Sequence, residues 1–388
     1  GKGGFTEEIN NCMMHTSQFS MGVDIADINN DGLSDIISMD MLPSDPYILK
    51  RSLGEDEYDI FQLKLKSGYN YQYTRNNLQL NRGNGKFSEV GLFSGIAATD
   101  WSWAALWLDF DNDGWKDLFV SNGIPKRMND IDYINFISNG EIQQKIRARA
   151  IHEKDIALID KFPQIKIPNR FFHNNGALQF NDLNGQVRNN RSTYSNGAVY
   201  ADFDNDGDLD IVVNNIDEPA LLYRNNTNDT AGQYLSVKLT GTAMNRNAIG
   251  AKLVLYTNNG LRLYEKSPVH GFLSSMEGPV HIGLKNTRID SMFVIWPDNS
   301  YTQVQQPLPA SELAVQWQPG LPAFDYASIK DYHRRIPVTF TNITASARLD
   351  YVHKENPFPE FNREPLIPHM LSAEGPAMAI ADINRDGL

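Results

Sequence analysis

Short apolar runs alternate along the chain with breaks rich in Gly, Asn and Asp, the pattern of brief strands joined by tight turns. Met21-Gly22-Val23-Asp24-Ile25-Ala26, Ala104-Ala105-Leu106-Trp107-Leu108, Gly197-Ala198-Val199-Tyr200-Ala201 and Ala377-Met378-Ala379-Ile380-Ala381 each lead into an acidic loop. Ile36-Ile37-Ser38, Leu118-Phe119-Val120-Ser121-Asn122 and Ile211-Val212-Val213-Asn214-Asn215 leave the first three of those loops. A second hairpin follows, as Asn77–Glu89, as Asn169–Phe180 and partly as Leu221–Asn226, with Gly/Asn turns. Two such hairpins make a four-stranded sheet of about 50 residues, the size of a propeller blade. Gly3-Gly4-Phe5-Thr6-Glu7 resembles the last strand of that module, Gly85-Lys86-Phe87-Ser88-Glu89, so the chain reads as entering one blade part-way and ending part-way through another.

Acidic loops begin at 27, 109, 202 and 382, so extra material interrupts the period. One insertion covers 44–74. Another covers 126–162, where Ile131, Ile134, Ile137, Ile142, Ile146, Ile151, Ile156 and Ile159 predict two short amphipathic helices, the second stopped by Pro163. Each insertion is read as a lid, a docking element or plain decoration. Between the third and fourth loops lies a β-rich unit, 232–316, with strand patterns at Leu235–Leu239, Ala251–Tyr256, Leu261–Tyr264, Val280–Ile282 and Met292–Trp296. Asn258-Asn259-Gly260 is its hairpin turn, and a small sandwich is expected. A linker rich in Pro, Gln and Ala follows at 305–330. The expected domains are therefore blades over 1–231, the inserted β unit over 232–316, and a linker with the start of a further blade over 317–388.

The loops share the pattern D-x-[DN]-x-D-G-x-x-D. The copies place side chains at Asp27, Asn29, Asp31 and Asp35; at Asp109, Asp111, Asp113 and Asp117; at Asp202, Asp204, Asp206 and Asp210; and, in a shortened copy, at Asp382, Asn384 and Asp386. Carboxylates at alternate positions repel unless a cation neutralises them. The glycine after the third of them permits the turn that wraps oxygens around one centre. An all-oxygen donor set suits a hard cation, and calcium is the expected ion. No bidentate Glu closes the loop, so affinity is expected near the extracellular range of about 10⁻⁴–10⁻³ M.

Composition agrees. The net charge is -12, and the loops hold a large share of the 47 Asp and Glu residues, so the acidity is mainly a metal signature. It argues against nucleic acid as a partner, since no basic cluster is present. No apolar run approaches the roughly 20 residues of a membrane span, and no signal-peptide pattern opens the sequence. Cys12 is the single cysteine, so calcium rather than a disulfide would staple the fold. Sequons begin at Asn225, Asn228 and Asn342, as chance would produce in an Asn-rich chain.

These residues carry a resemblance. The loops and hairpins resemble FG-GAP/VCBS repeats of α-integrin-type propellers, in which calcium sits between the first two strands of a blade. The inserted unit resembles the ASPIC/UnbV domain through Asn247–Lys252, His270-Gly271-Phe272-Leu273-Ser274, Val280–Leu284 and Ile295-Trp296-Pro297-Asp298-Asn299. The combination is similar to bacterial surface proteins of the Bacteroidetes kind. It implies an all-β chain: a propeller of four-stranded blades with calcium-binding hairpins, a small inserted β-sandwich-like domain and short helical insertions. It adds the carbonyls of Leu33, Trp115, Asp208 and Leu388 as ligands, for three or four Ca²⁺ sites. Asn at the third position of the first and fourth loops, and the missing closing acid of the fourth, imply weaker binding there.

The resemblance also implies an extracellular or cell-surface location, associated with an outer membrane. The leading reading is a calcium-stabilised binding or adhesion protein with a protein or glycan ligand, or an accessory subunit of an outer-membrane assembly. The alternative is a carbohydrate-active enzyme, a polysaccharide lyase or hydrolase built on the propeller. A purely structural subunit is the third. The ions either staple hairpins or also bridge a ligand. Trp101, Trp103 and Trp107 fall on one face of a regular strand and either pack between blades or stack on sugar. His270 and His281 are expected to make structural hydrogen bonds, and no catalytic residue is assigned.

Overall fold

The computed structural model describes residues 4–52, 57–148, 163–227, 234–285, 287–305, 311–332, 341–376, 379 and 381–382. It divides into two units, Gly1–Asp331 and Tyr332–Leu388. The second contains two single turns of 3-10 helix, Glu360–Asn362 and Leu371–Ala373.

The first unit is a propeller-type arrangement of five small sheets. A parallel pair, β1 (His15–Ser17) with β4 (Tyr71–Tyr73), lies beside blade A. Blade A is β2 (Val23–Ala26), β3 (Asp35–Ser38), β5 (Asn77–Asn81) and β6 (Phe87–Glu89). Blade B is β7 (Ser102–Leu108), β8 (Asp117–Asn122), β9 (Arg170–Asn174) and β10 (Phe180–Asp182). Blade C has three strands among the described residues, β11 (Ser195–Ala201), β12 (Asp210–Asn215) and β13 (Leu221–Tyr223). All three are antiparallel meanders, and each acidic loop joins the first two strands of its blade.

Blade B is apolar on both faces because both are covered. Ala105, Trp107, Leu118 and Val120 pack with Ile28, Ile37 and Leu78 of blade A. Ala104, Leu106, Leu108 and Phe119 pack with Ala198, Ile211 and Val213 of blade C. A strand buried on both faces loses the polar half of its alternation.

The inserted unit supplies the other two sheets. One is β19 (Val280–Gly283), β14 (Tyr234–Thr240) and β22 (Ser311–Gln316); the other is β16 (Gly260–Glu265), β15 (Lys252–Thr257), β20 (Ile289–Ile295) and β21 (Tyr301–Val304). They share one core, with Leu235, Val237, Leu253, Leu255, Met292, Val294 and Trp296 all buried, so the expected sandwich is present. It also closes the ring. Tyr234 lies against Gly207 of blade C, and Leu261 bridges to Asp31 of blade A. A small hairpin, β17 (Val269–His270) with β18 (Ser274–Ser275), turns inward against the first strands of the blades, and Gly271 bridges to Val23. Gly271 has φ +64, and a Cβ there would meet Ala104, the Ala105 carbonyl and Leu106 at 3.1–3.2 Å.

Three expectations change. Gly4–Glu8 form no strand. The supposed linker contains β22, which runs parallel to β14, and Phe324, which packs on Phe293 and Tyr301. Leu313 and Val315 of that strand pack on the core, and its parallel partner lies more than 70 residues earlier in the chain, beyond the reach of local pattern. The tryptophans do not share a face: a bulge between Ser102 and Ala105 breaks the alternation. Trp107 packs between blades A and B, while Trp103 rests on Phe272 of the inward hairpin. The 44–74 insertion holds helices Pro46–Arg51 and Tyr58–Lys66, in line with the expected short helical insertions. The 126–162 insertion holds two short helices among its described residues, Ile131–Ile137 and Gly140–Arg147; the second ends well before Pro163, and Ile151, Ile156 and Ile159 lie outside the described residues.

Candidate metal centre

The first three loops are built on the same frame of backbone donors. The first-position carboxylate accepts two amides of its own turn. Asp27 takes Asp31 N and Gly32 N (3.0 and 2.9 Å), Asp109 takes Asp113 N and Gly114 N (3.1 and 2.7 Å), and Asp202 takes Asp206 N and Gly207 N (3.2 and 3.0 Å). The fifth position accepts the amide two residues on, so Asp31, Asp113 and Asp206 hold the amides of Leu33, Trp115 and Asp208 at 2.8–3.0 Å. The ninth position ties the loop to the third strand: Asp35, Asp117 and Asp210 accept from Asn81 N, Asn174 N and Asn225 N at 2.7–2.8 Å. Local geometry makes this possible, with Asn30, Asn112 and Asn205 at φ 54–61 and Gly32, Gly114 and Gly207 at φ 77–90.

The third position stands apart. Asn29 Oδ1 and Asp111 Oδ1 are buried and have no hydrogen-bond partner among the described residues. A buried acceptor without a donor costs about 1–3 kcal/mol, and a cation in the loop would remove that cost. Oxygens of Asp109, Asp111 and Asp117 lie within 4.8 Å of one another, as do those of Asp202, Asp204 and Asp206. Burial, reinforced by the charge of Asp31, pushes Asp27 up to about 8. Burial likewise pushes Asp35 to about 7 and Asp113 to about 6, and raises Asp109, where Asp117 adds repulsion. The donor set and these orphaned oxygens fit a hard divalent cation.

The loops differ in their resident cations. His173 Nδ1 lies 3.1 Å from Asp117 Oδ1, and this hydrogen bond, against the cost of burial, raises His173 to about 9. Lys285 Nζ is 3.4 Å from Asp111, and Arg224 Nε is 3.0 Å from Asp204. Sequence spacing missed all three. Asp382 is described, whereas Asn384, Asp386 and Leu388 lie outside the described residues.

The loops are also the joints between blades. Asn30 Nδ2 donates to the Gly114 carbonyl (3.1 Å) and Asn112 Nδ2 to that of Gly207 (3.0 Å). In the reverse direction Asn174 Nδ2 donates to Ile28 O (2.9 Å) and Asn225 Nδ2 to Phe110 O (2.7 Å). The recurring Asn-Asp-Gly at positions four to six was the available sequence signal.

The inserted unit grips the same loops. Leu263 N donates to Asp27 Oδ2 (2.9 Å), and His281 Nε2 donates to Asn112 Oδ1 (2.5 Å). Lys285 N donates to Asn112 O (2.9 Å). Arg262 is buried, donating to Gly283 O at 2.8 Å and Thr287 Oγ1 at 2.9 Å, with Asp113 O at 3.4 Å. A Cβ on Gly114 would lie 1.9 Å from its guanidinium.

Two family profiles match on these features. Residues 59–120, spanning the second hairpin of blade A and the first of blade B, match the FG-GAP-like repeat; residues 241–320 match the family described as ASPIC and UnbV. The chain carries FG-GAP-like repeats and an ASPIC/UnbV domain. Cartilage acidic protein 1 of Mus musculus is 27% identical over 250 residues, which is 56% of this chain and 37% of that protein. Its Homo sapiens counterpart is 27% identical over 254 residues, or 56% and 36%. The chain thus spans well under half the length of these relatives. No helix among the described residues is long and apolar enough to cross a membrane.

Proposed function

We propose that this chain is part of an extracellular, adhesion-type binding protein whose blades and ASPIC/UnbV domain are stapled by calcium. Asp27, Asn29, Asp31 and Asp35 would hold one ion, Asp109, Asp111, Asp113 and Asp117 a second, and Asp202, Asp204, Asp206 and Asp210 a third, with the carbonyls of Leu33, Trp115 and Asp208 completing the shells. The ion supplies positive charge to oxygens that the fold packs together, and its role is structural. The unpartnered Asn29 Oδ1 and Asp111 Oδ1 carry this reading. The repeats and the distant similarity to cartilage acidic protein 1 support an extracellular setting. Calorimetric titration of metal-stripped protein with CaCl₂ tests it: saturable binding is expected, and no heat at millimolar calcium would reject it.

The enzyme reading needs a titratable group free to exchange a proton at a cavity. His270 faces one, but its Nδ1 lies 2.8 Å from Asp24 Oδ1 and its Nε2 3.0 Å from Ser267 O. With both nitrogens donating to acceptors, this ring is a clamp and has no free nitrogen with which to take up a proton.

A further inference from the structure

The five sheets enclose a cavity of about 860 Å³, floored by the ASPIC/UnbV domain and walled by the first strands of the blades. Lys116, Tyr200, Tyr234, Tyr264 and His281 line it, brought from blades B and C and from both sheets of the inserted domain. Most of its acids already have a cation. Asp24 is 2.8 Å from His270, Glu277 2.8 Å from Lys266, and Glu265 3.8 Å from Lys252. Asp27 spends its oxygens on the amides of Asp31, Gly32 and Leu263. Lys116 is the exception among the cations. Its Nζ sits 4.5 Å from the centre of the Tyr264 ring and makes no hydrogen bond or ion pair among the described residues; burial and the charge of Arg262 lower its pKa, and the carboxylates of Asp109, Asp117 and Asp27 oppose that shift.

The remaining polar groups suit a polyhydroxylated ligand. The phenol oxygens of Tyr200 and Tyr234 make no hydrogen bond among the described residues, and each ring stands beside an imidazole, at 6.2 Å from His270 and 5.4 Å from His281. His281 donates through Nε2 to Asn112, which leaves Nδ1 as an acceptor. Tyr234 is stacked on His281 and Tyr264 lies beneath Lys116, which leaves the Tyr200 ring for the apolar face of a sugar, the phenols and the imidazole for its hydroxyls, and the Lys116 ammonium for a carboxylate. The volume lies in the range of small-ligand sites.

We propose that this central cavity binds a sugar carboxylate, a uronic acid unit, with Lys116 on its carboxylate and Tyr200 on a hydroxyl. The proposal rests on the reading of the chain as a ligand-binding protein. Its test is calorimetry of the calcium-loaded chain with digalacturonic acid and, as the uncharged control, a neutral galactose disaccharide. The acidic disaccharide is expected to bind and the neutral one to bind at least about tenfold more weakly. Lys116→Met is expected to weaken the acid about tenfold or more, and Tyr200→Phe about two- to tenfold. Equal binding of the two sugars, no binding of either, or full affinity in a folded Lys116→Met would overturn the proposal. Histidine side-chain NMR of the wild-type chain gives a second readout that needs no variant: unmoved resonances on adding the acid would also reject it. Calcium titration of the same preparation separates the outcomes, since calcium binding without sugar binding defeats this proposal and leaves the calcium reading standing.

Discussion

The main-chain N–H of Leu263, in the ASPIC/UnbV domain, donates to Asp27 Oδ2 at the start of the first loop, 2.9 Å away and 236 positions distant in sequence. One carboxylate therefore closes its own turn and docks a second domain. Asp27 is 3% exposed, so Asp27→Ala leaves the amides of Asp31, Gly32 and Leu263 without their acceptor. The expected loss is about 3 kcal/mol or more in urea denaturation. A loss below about 1 kcal/mol would show that the contact does not hold the domain.

Chelation should lower the melting temperature, because an ion bound only by the folded state contributes RT ln(1 + [L]/Kd), about 2.7 kcal/mol per site at a hundredfold excess over Kd. Superimposable melts in EDTA and in calcium would reject structural calcium.

Asp204→Ala separates the ion from the bare fold. Asp204 is partly exposed and pairs with Arg224, so without calcium its loss should cost no more than a surface change. With calcium present the cost should exceed that of a typical surface substitution, since a ligand is gone. Equal costs in the two conditions would mean that the third loop is empty.

Arg224 lies where it would compete with an ion for Asp204 and Asp206, at 3.0 and 3.9 Å. Arg224→Ala should tighten calcium at the third loop several-fold, an effect that shrinks with added salt. Unchanged or weaker affinity would make the guanidinium a bystander.

His270 links the inward hairpin to blade A through Asp24. Burial opposes its protonation, but the hydrogen bond and charge of Asp24 and the Ser267 carbonyl outweigh it, so its pKa is raised above 6.5; Lys116 acts against this and Tyr200 packs alongside. A raised value means that the folded state holds the proton more tightly. The stabilisation is complete below pH 6.5 and fades as pH rises through the folded value. The wild type should therefore lose stability above neutrality relative to His270→Gln, as followed by melting temperature against pH. Parallel profiles would show that the clamp is uncharged.

Much of the fold was legible locally. Strands on either side of the first three Asp loops, the Asn258-Asn259-Gly260 turn and the helices over 131–147 follow from spacing and turn chemistry, which act within a few residues. The bulge at Ser102–Ala105 and strand β22 were not legible, because register within the sheet imposes the first and a parallel partner far along the chain the second.

By itself the sequence determined the hairpins and the turn that gathers their carboxylates, since alternate acids, a left-handed Asn and a glycine act on adjacent backbone. Only the tertiary structure decided that Leu263 and His281 hold the loops, that Asn30 and Asn112 pass from one blade to the next, and that Lys116, Tyr200 and His270 share one cavity. Those relations join residues up to 236 positions apart, and no periodicity encodes a contact that exists only once sheets have closed around an axis.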